Sequence, residues 1–236
     1  VKVFIGGRQA AVKSVHHESI SLLVAEGQGK GQQIVVVILN ETTKPAEKTF
    51  DYSPPSIDSI LSEDIQNFPT SGQHVLTNEP VKVLMFGDNF GTGKEIEVFF
   101  GGYDFGMVAV PTEVGHTQLN FSLPAGDGSN LTVFIRVSNQ TGWSSNFNVS
   151  YAPPQIYFVS SSSGSFPPSG CNKFHDNVVP PAVGLVCRDP TFVLISGVNF
   201  GRKHEIFFHN TMTGQSSAAE IVNSSHVQAV VKLFPG

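Results

Sequence analysis

The sequence predicts an all-β chain made of antiparallel sandwiches of about 100 residues, repeated in tandem. Three observations point there. Stretches of text return at a fixed offset, apolar residues alternate with polar ones in short runs, and Gly, Asn and Pro punctuate the runs. "FDYSPPSI" at Phe50–Ile57 comes back as "NVSYAPPQI" at Asn148–Ile156, so the proline pairs Pro54–Pro55 and Pro153–Pro154 stand 99 residues apart.

The echoes run the length of the chain. "VKVFIGG" at Val1–Gly7 returns as "IEVFFGG" at Ile96–Gly102 and more loosely as "IFFHN" at Ile206–Asn210. "HESISLLVAEGQG" from His17 aligns with "HTQLNFSLPAGDG" from His116 and "HVQAVVKLFPG" from His226. "IVVVILNET" from Ile34 matches "VFIRVSNQT" from Val133, and "FGDNFG" at Phe86–Gly91 returns as "SGVNFG" at Ser196–Gly201, offset by 110. The longer second offset fits an insertion around "CNKFHDNVVPPAVGLVC". A period this long means repeated whole domains, which divides the chain into residues 1–55, 56–154 and 155–236. Each proline pair reads as a stiff joint, because proline fixes its own φ and restricts the residue before it.

Within the repeats the period is that of strands. Leu119, Phe121 and Leu123 alternate with Gln118, Asn120 and Ser122. Val133, Ile135 and Val137 alternate with Thr132, Phe134 and Arg136, and Phe147, Val149 and Tyr151 with Asn148 and Ser150. No stretch sustains a helical period. Charged residues are only 14% of the chain, and the net charge of −5 excludes a general phosphate-binding surface and hence a nucleic-acid partner. No run approaches the roughly 20 apolar residues of a membrane helix, so no membrane insertion is expected within this segment.

The order of strand, "G-x-N-F-G" turn, "V-x-F-G-G" hairpin, "P-A-G-x-G" turn, apolar strand and "Y-x-P-P-x-I" exit resembles the IPT/TIG family of immunoglobulin-like domains. The complete copy carries it at Gly87, Asn89, Phe90 and Gly91, then Gly101 and Gly102, then Pro124, Ala125, Gly126 and Gly128, and finally Tyr151, Pro153 and Pro154. The third copy departs at His209–Asn210, where the glycine pair should be. The resemblance implies immunoglobulin-like sandwiches, one complete and two partial. Such domains occur in tandem in cell-surface receptors and adhesion proteins, and singly in some transcription factors and carbohydrate-processing enzymes. Fold therefore leaves function open.

The sequons choose among these classes. Asn-x-Ser/Thr occurs at Asn40, Asn120, Asn130, Asn139, Asn148 and Asn223. Roughly two would arise by chance from this composition, and the motif is an acceptor only on the accessible surface of secreted chains. Asn120 and Asn148 fall on the outward parity of their strands, and Asn40 and Asn139 occupy the same repeat position. Covalent glycans would supply the hydration that charged side chains usually give. The reading is an extracellular or cell-surface glycoprotein. Cys171 and Cys187 bracket the insertion, and a disulfide between them would close a loop of about 15 residues, contributing on the order of 3 kcal/mol. A metal site of Cys171, His175, Asp176 and Cys187 is the weaker alternative, since it lacks a recognised ligand spacing.

Other candidate chemistry is thin. His17, His116 and His226 recur at one repeat position and read as solvated or turn-supporting. Asp127 within "PAGDGSN" reads as a turn residue rather than a calcium ligand, because a calcium loop needs several oxygens. No nucleophile elbow, carboxylate pair or phosphate loop appears, so no enzyme, metal or cofactor is expected. The leading expectation is a structural or adhesive glycoprotein whose partners are further copies or repeats of the same array. The alternatives are a ligand-binding receptor ectodomain, with one glycan-free aromatic patch, and an accessory module of a polysaccharide-active enzyme. Val1 corresponds to Ile96 and Gly236 to Gly126, so the end repeats lack strands and should leave core surface open. We expect either a window onto a longer array or strands donated by neighbours, in an elongated or filamentous assembly.

Overall fold

The computed structural model describes residues 1–39, 41–91, 95–101, 107–161, 171–174, 187–190 and 192–232; for 171–174 and 187–190 it gives the backbone. Among these, every regular element is a strand. The first repeat holds β1 (Lys2–Ile5), β2 (Arg8–Val15), β3 (Ile20–Leu23), β4 (Ile34–Ile38) and β5 (Glu41–Thr42). The second holds β6 (Ser56–Leu61), β7 (Lys82–Asp88), β8 (Ile96–Phe100), β9 (Val108–Ala109), β10 (Glu113–Val114), β11 (Gln118–Ser122), β12 (Val133–Val137) and β13 (Gln140–Trp143). The third holds β14 (Gln155–Ser161), β15 (Cys171–Phe174), β16 (Cys187–Pro190), β17 (Phe192–Val198), β18 (Phe207–His209), β19 (Ser216–Ala218), β20 (Glu220–Ser224) and β21 (Gln228–Lys232). By density of contacts the chain divides into two compact units, Val1–Ile65 with Pro80–Pro124 and Asn130–Val149, and Gln66–Glu79 with Ala125–Ser129 and Ser150–Gly236. The division passes through the middle repeat rather than at the proline pairs.

In the first unit, two antiparallel four-stranded sheets, ordered β10-β11-β7-β6 and β13-β12-β8-β9, form the sandwich of the middle repeat. The alternation read in the sequence sets its core. Val83, Met85, Leu119, Phe121, Val133, Ile135 and Val137 are buried, and Phe100 meets Phe121 edge-on at 6.2 Å. Each such side chain contributes roughly 1.5–3 kcal/mol by leaving water. Phe134 departs from the alternation. It is fully buried although its parity is outward, because Phe99 stacks on it at 4.7 Å and Trp143 covers it at 4.6 Å. The expected strand through Phe147–Tyr151 is reduced to single bridges, of which Leu131↔Val149 lies in this unit. The first repeat contributes one five-stranded sheet, ordered β3-β2-β1-β4-β5, with Val3, Ile5 and Ala10 buried.

In the second unit, a sheet ordered β14-β17-β21-β20 packs Val193, Ile195, Phe200, Ala229 and Val231 together, joined by Ile206, Phe208, Ala219 and Ile221. Hairpins β15–β16 and β18–β19 accompany it. In the third repeat, β14 shows apolar side chains to water. Ile156 is 61% exposed and Tyr157, Phe158 and Val159 are exposed beside it, whereas Ile57, the counterpart of Ile156, is 3% exposed under a bridge to Ser144.

One local device repeats in both units. β6 shifts register against β7 between Ile57 and Ser59, and β14 shifts against β17 between Ile156 and Phe158. The bulges lie at equivalent positions, opposite equivalent glycines. A Cβ on Gly87 would stand 2.0 Å from the Ser56 carbonyl oxygen, and one on Gly197 1.9 Å from that of Gln155. Glycine is present here so that two backbones can touch.

Candidate functional site: two joints built from the same positions

The features that recur in the sequence converge at the ends of the repeats. In the first unit, the "GQG" loop of the first repeat meets the turn between β12 and β13. Ser138, at φ 52°, heads that turn. Gln28 Nε2 donates to Ser138 Oγ at 2.9 Å, the Gly29 N–H donates to Gln140 Oε1 at 3.1 Å, and the Lys30 N–H donates to Asn139 Oδ1 at 2.8 Å. In return, Asn139 Nδ2 donates to the Lys30 carbonyl at 3.3 Å and Gln140 Nε2 to the Tyr52 carbonyl at 2.7 Å. Three consecutive side chains thus read three consecutive residues. Gln140 is only 3% exposed, and both ends of its amide are satisfied, as a buried carboxamide requires.

The proline linker and the "NFG" turn close around this contact. Asn89 Nδ2 donates to the Pro54 carbonyl at 3.0 Å, and Tyr52 Oη donates to the Ala25 carbonyl at 2.9 Å. Gly91 sits at φ +70°, in the left-handed region that glycine tolerates, and a Cβ there would lie 2.3 Å from Gln28 Oε1. His116 Nε2 lies 3.5 Å from Glu26 Oε2, an ion-pair distance with both side chains well exposed, and therefore worth little.

In the second unit, the counterparts of these residues meet again. Asp127, the counterpart of Gln28, accepts from the Arg202 N–H at 3.0 Å and packs on Gly201, the counterpart of Gly91, at φ +76°. The Tyr151 N–H donates to the Gly128 carbonyl at 2.8 Å, as the Tyr52 N–H does to Gly29 at 3.1 Å. Asn199 Oδ1 accepts from the Thr70 N–H at 3.4 Å, and Thr70, itself buried, hydrogen-bonds through its hydroxyl with His226 Nδ1 at 3.0 Å. Burial raises the Tyr151 phenol well above its ordinary value. It lowers the His226 imidazole below 6.5, Asp127 opposing the shift while Arg202 and His204 add to it.

Two of the recurring histidines, His116 and His226, support turns through their backbones. The His116 and His226 carbonyls each accept from the "NFG" phenylalanine N–H, of Phe90 and Phe200, at 3.0 Å. His17 is exposed. Asp127 is a loop residue spent on the Arg202 amide. The sequon residues scatter over the surface. Asn130 and Asn223 are exposed and Asn120 half-buried, while Asn148 Nδ2 donates to Asn130 Oδ1 at 2.9 Å. Asn139 differs in belonging to a joint. Asn40, His175 and Asp176 lie outside the described residues. β15 and β16 pair with Cys171 opposite Pro190 and Cys187 opposite Phe174. Among the described residues, no three His, Cys, Asp or Glu are grouped as metal ligands, and no helix is long and apolar enough to cross a membrane.

Sequence reasoning missed one row of aromatic side chains, of which Trp143 is the exposed member. Val108, Phe99, Phe134 and Trp143 are cross-strand neighbours in one row, with Trp143 54% exposed at its end. Glu97 and Arg136 pair beside the row, and the Arg136 guanidinium lies 5.2 Å from the Phe99 ring centroid. The signal was present in "VFF", "VFIRV" and "GW", but strict alternation assigned Phe134 to solvent.

Residues 65–151 match the family model of the IPT/TIG domain. No curated protein sequence matches the chain. Among solved structures, one of the plexin A4 full extracellular region, domains 1 to 10, aligns at 10% identity and a TM-score of 0.37, covering 98% of this chain and 18% of that one. A second, with domains 1 to 8 of the same region, aligns at 14% identity and a TM-score of 0.31, covering 80% and 17%. The chain thus spans under a fifth of the length of either. The antiparallel sandwich, the "NFG" turn and the family match agree that residues 65–151 form an IPT/TIG domain.

Proposed function

We propose that the chain is part of a structural or adhesive glycoprotein of the cell surface or extracellular matrix, built from tandem IPT/TIG sandwiches and carrying no reaction of its own. The observation that carries this reading is the set of six sequons, five of them at described positions that are exposed or half-exposed. The joints support it, since equivalent repeat positions meet in both units and hold neighbouring segments by directed hydrogen bonds rather than by a slack linker. Partners in this reading are further repeats or copies of the same array in an elongated, filament-like assembly, with copies burying more than about 1,000 Å² between them. The chain is to be secreted from a eukaryotic cell line and its intact glycopeptides mapped. Occupied sequons are expected, Asn120, Asn148 or Asn223 among them, and a chain bare at all six would overturn the reading. Sedimentation of the same material tests assembly, with concentration-dependent association expected.

A receptor-type reading is favoured by one observation, the aromatic row ending at Trp143. In that case Trp143→Ala removes the binding of a protein ligand without changing the melting temperature by more than a few degrees. An accessory role beside a polysaccharide-active enzyme would instead show as retention on polysaccharide resin lost in the same variant.

A further inference from the structure

Among the described sequons, Asn120 and Asn148 donate to the side chains of Glu113 and Asn130, whereas Asn139 meets backbone. Its carboxamide forms a two-point pair with a single residue, accepting from the Lys30 N–H at 2.8 Å and donating to the Lys30 carbonyl at 3.3 Å. In such a pair the donating hydrogen is the one on the same side of the amide C–N bond as Oδ1. N-glycosylation would join Nδ2 to the anomeric carbon of a sugar pyrophosphate donor, releasing the pyrophosphate and one amide proton. The product is a secondary amide, and secondary amides are trans, which puts the new carbon on the side of the oxygen. The sugar would therefore stand where Asn139 now meets the Lys30 carbonyl, and 3.3 Å between nitrogen and oxygen leaves no room for a ring. Gly29 adds to the crowding, since even a Cβ there would lie 3.1 Å from Asn139 Oδ1.

We propose that Asn139 is a joint residue whose docking and glycosylation exclude each other, so that this sequon stays bare in the folded chain while others are filled. The proposal rests on the extracellular reading only for the presence of a glycosylating compartment.

The test has two arms. In glycopeptide mapping of the secreted chain, Asn139 is expected bare while at least one of Asn120, Asn148 and Asn223 carries a glycan. In amide hydrogen exchange on the same chain, Asn139→Ala should speed exchange at Lys30 roughly fivefold to tenfold, the loss of about one net hydrogen bond. Thr141→Ala, which destroys the sequon and keeps the carboxamide, should leave it unchanged. A glycan on Asn139 with the Lys30 amide still protected would overturn the proposal. So would unchanged Lys30 exchange in Asn139→Ala, or equally fast exchange in Thr141→Ala. If no sequon is filled, the extracellular reading fails and the exchange arm alone decides.

Discussion

Replacing Gly87 by alanine should be a strongly damaging single-methyl change in the first unit. The added Cβ would lie 2.0 Å from the Ser56 carbonyl oxygen and 2.7 Å from Phe90 Cζ. Carbon and oxygen do not approach below about 3 Å, so β6 must move away from β7 by roughly 1 Å, against close packing that resists such shifts. The obstacle is backbone, and no side-chain rotation relieves it. Overpacking of this kind costs about 1–3 kcal/mol, and straining the bulge hydrogen bonds adds roughly 1 kcal/mol. The lower entropy of the unfolded alanine chain returns about 0.5–1 kcal/mol. The net is roughly 1–3.5 kcal/mol, or a fall in melting temperature of about 3–12 °C for a unit of this size. Thermal unfolding followed by circular dichroism measures it. Gly115→Ala is the control, because its Cβ would meet only the Gln118 carbonyl at 3.4 Å, an ordinary contact. A Gly87→Ala protein melting within about 1 °C of the parent would show that the bulge is slack and refute the reasoning.

Further outcomes follow from the joints and the sequons. Burial holds the His226 imidazole below its ordinary 6.5, so the unfolded chain binds that proton more tightly. Its contribution is therefore whole above pH 6.5 and is lost as the pH falls through the folded value; urea titrations at pH 7.5 and 5.5 should show this loss, and His226→Gln should flatten it. Asn130 and Asn148 touch, so glycopeptides should show one glycan between them rather than two; double occupancy in most molecules would mean that the pair separates. Cys171 and Cys187 are expected to be bonded, which asks β15 and β16 to slide from their pairing of Cys171 with Pro190 and of Cys187 with Phe174. Non-reducing peptide mapping decides, and two free thiols would refute the bond.

How much of this was legible in the sequence depends on range. Alternation named the core of β11 and β12 correctly at Leu119, Phe121, Val133 and Ile135, because one residue's parity is a local property. It failed at Phe134, where burial comes from Phe99 and Trp143 on neighbouring strands. The repeat offsets identified Gly87 and Gly197 as equivalent, but not that each faces a bulge, since that depends on where β6 and β14 cross their partners. The joints were visible only as recurring letters. Asn139 was read as a glycan acceptor from its triplet, and what marks it out is Lys30, 109 residues away in the chain. At His116 and His226 the group that holds the turn is the backbone carbonyl, which carries no signature in sequence.

The exposed edge of the third repeat has a practical side. β14 ends its sheet, and it shows Ile156, Tyr157, Phe158 and Val159 to water in succession, with no charge or proline among them. A strand of this composition on an open edge is a template for any other extended chain, including an unfolded neighbour of its own kind. Produced at high concentration, the polypeptide should therefore precipitate through this strand before its core melts. A lysine at Tyr157, the extra residue of the bulge, should raise solubility while leaving the buried side chains of β17 and β21 untouched.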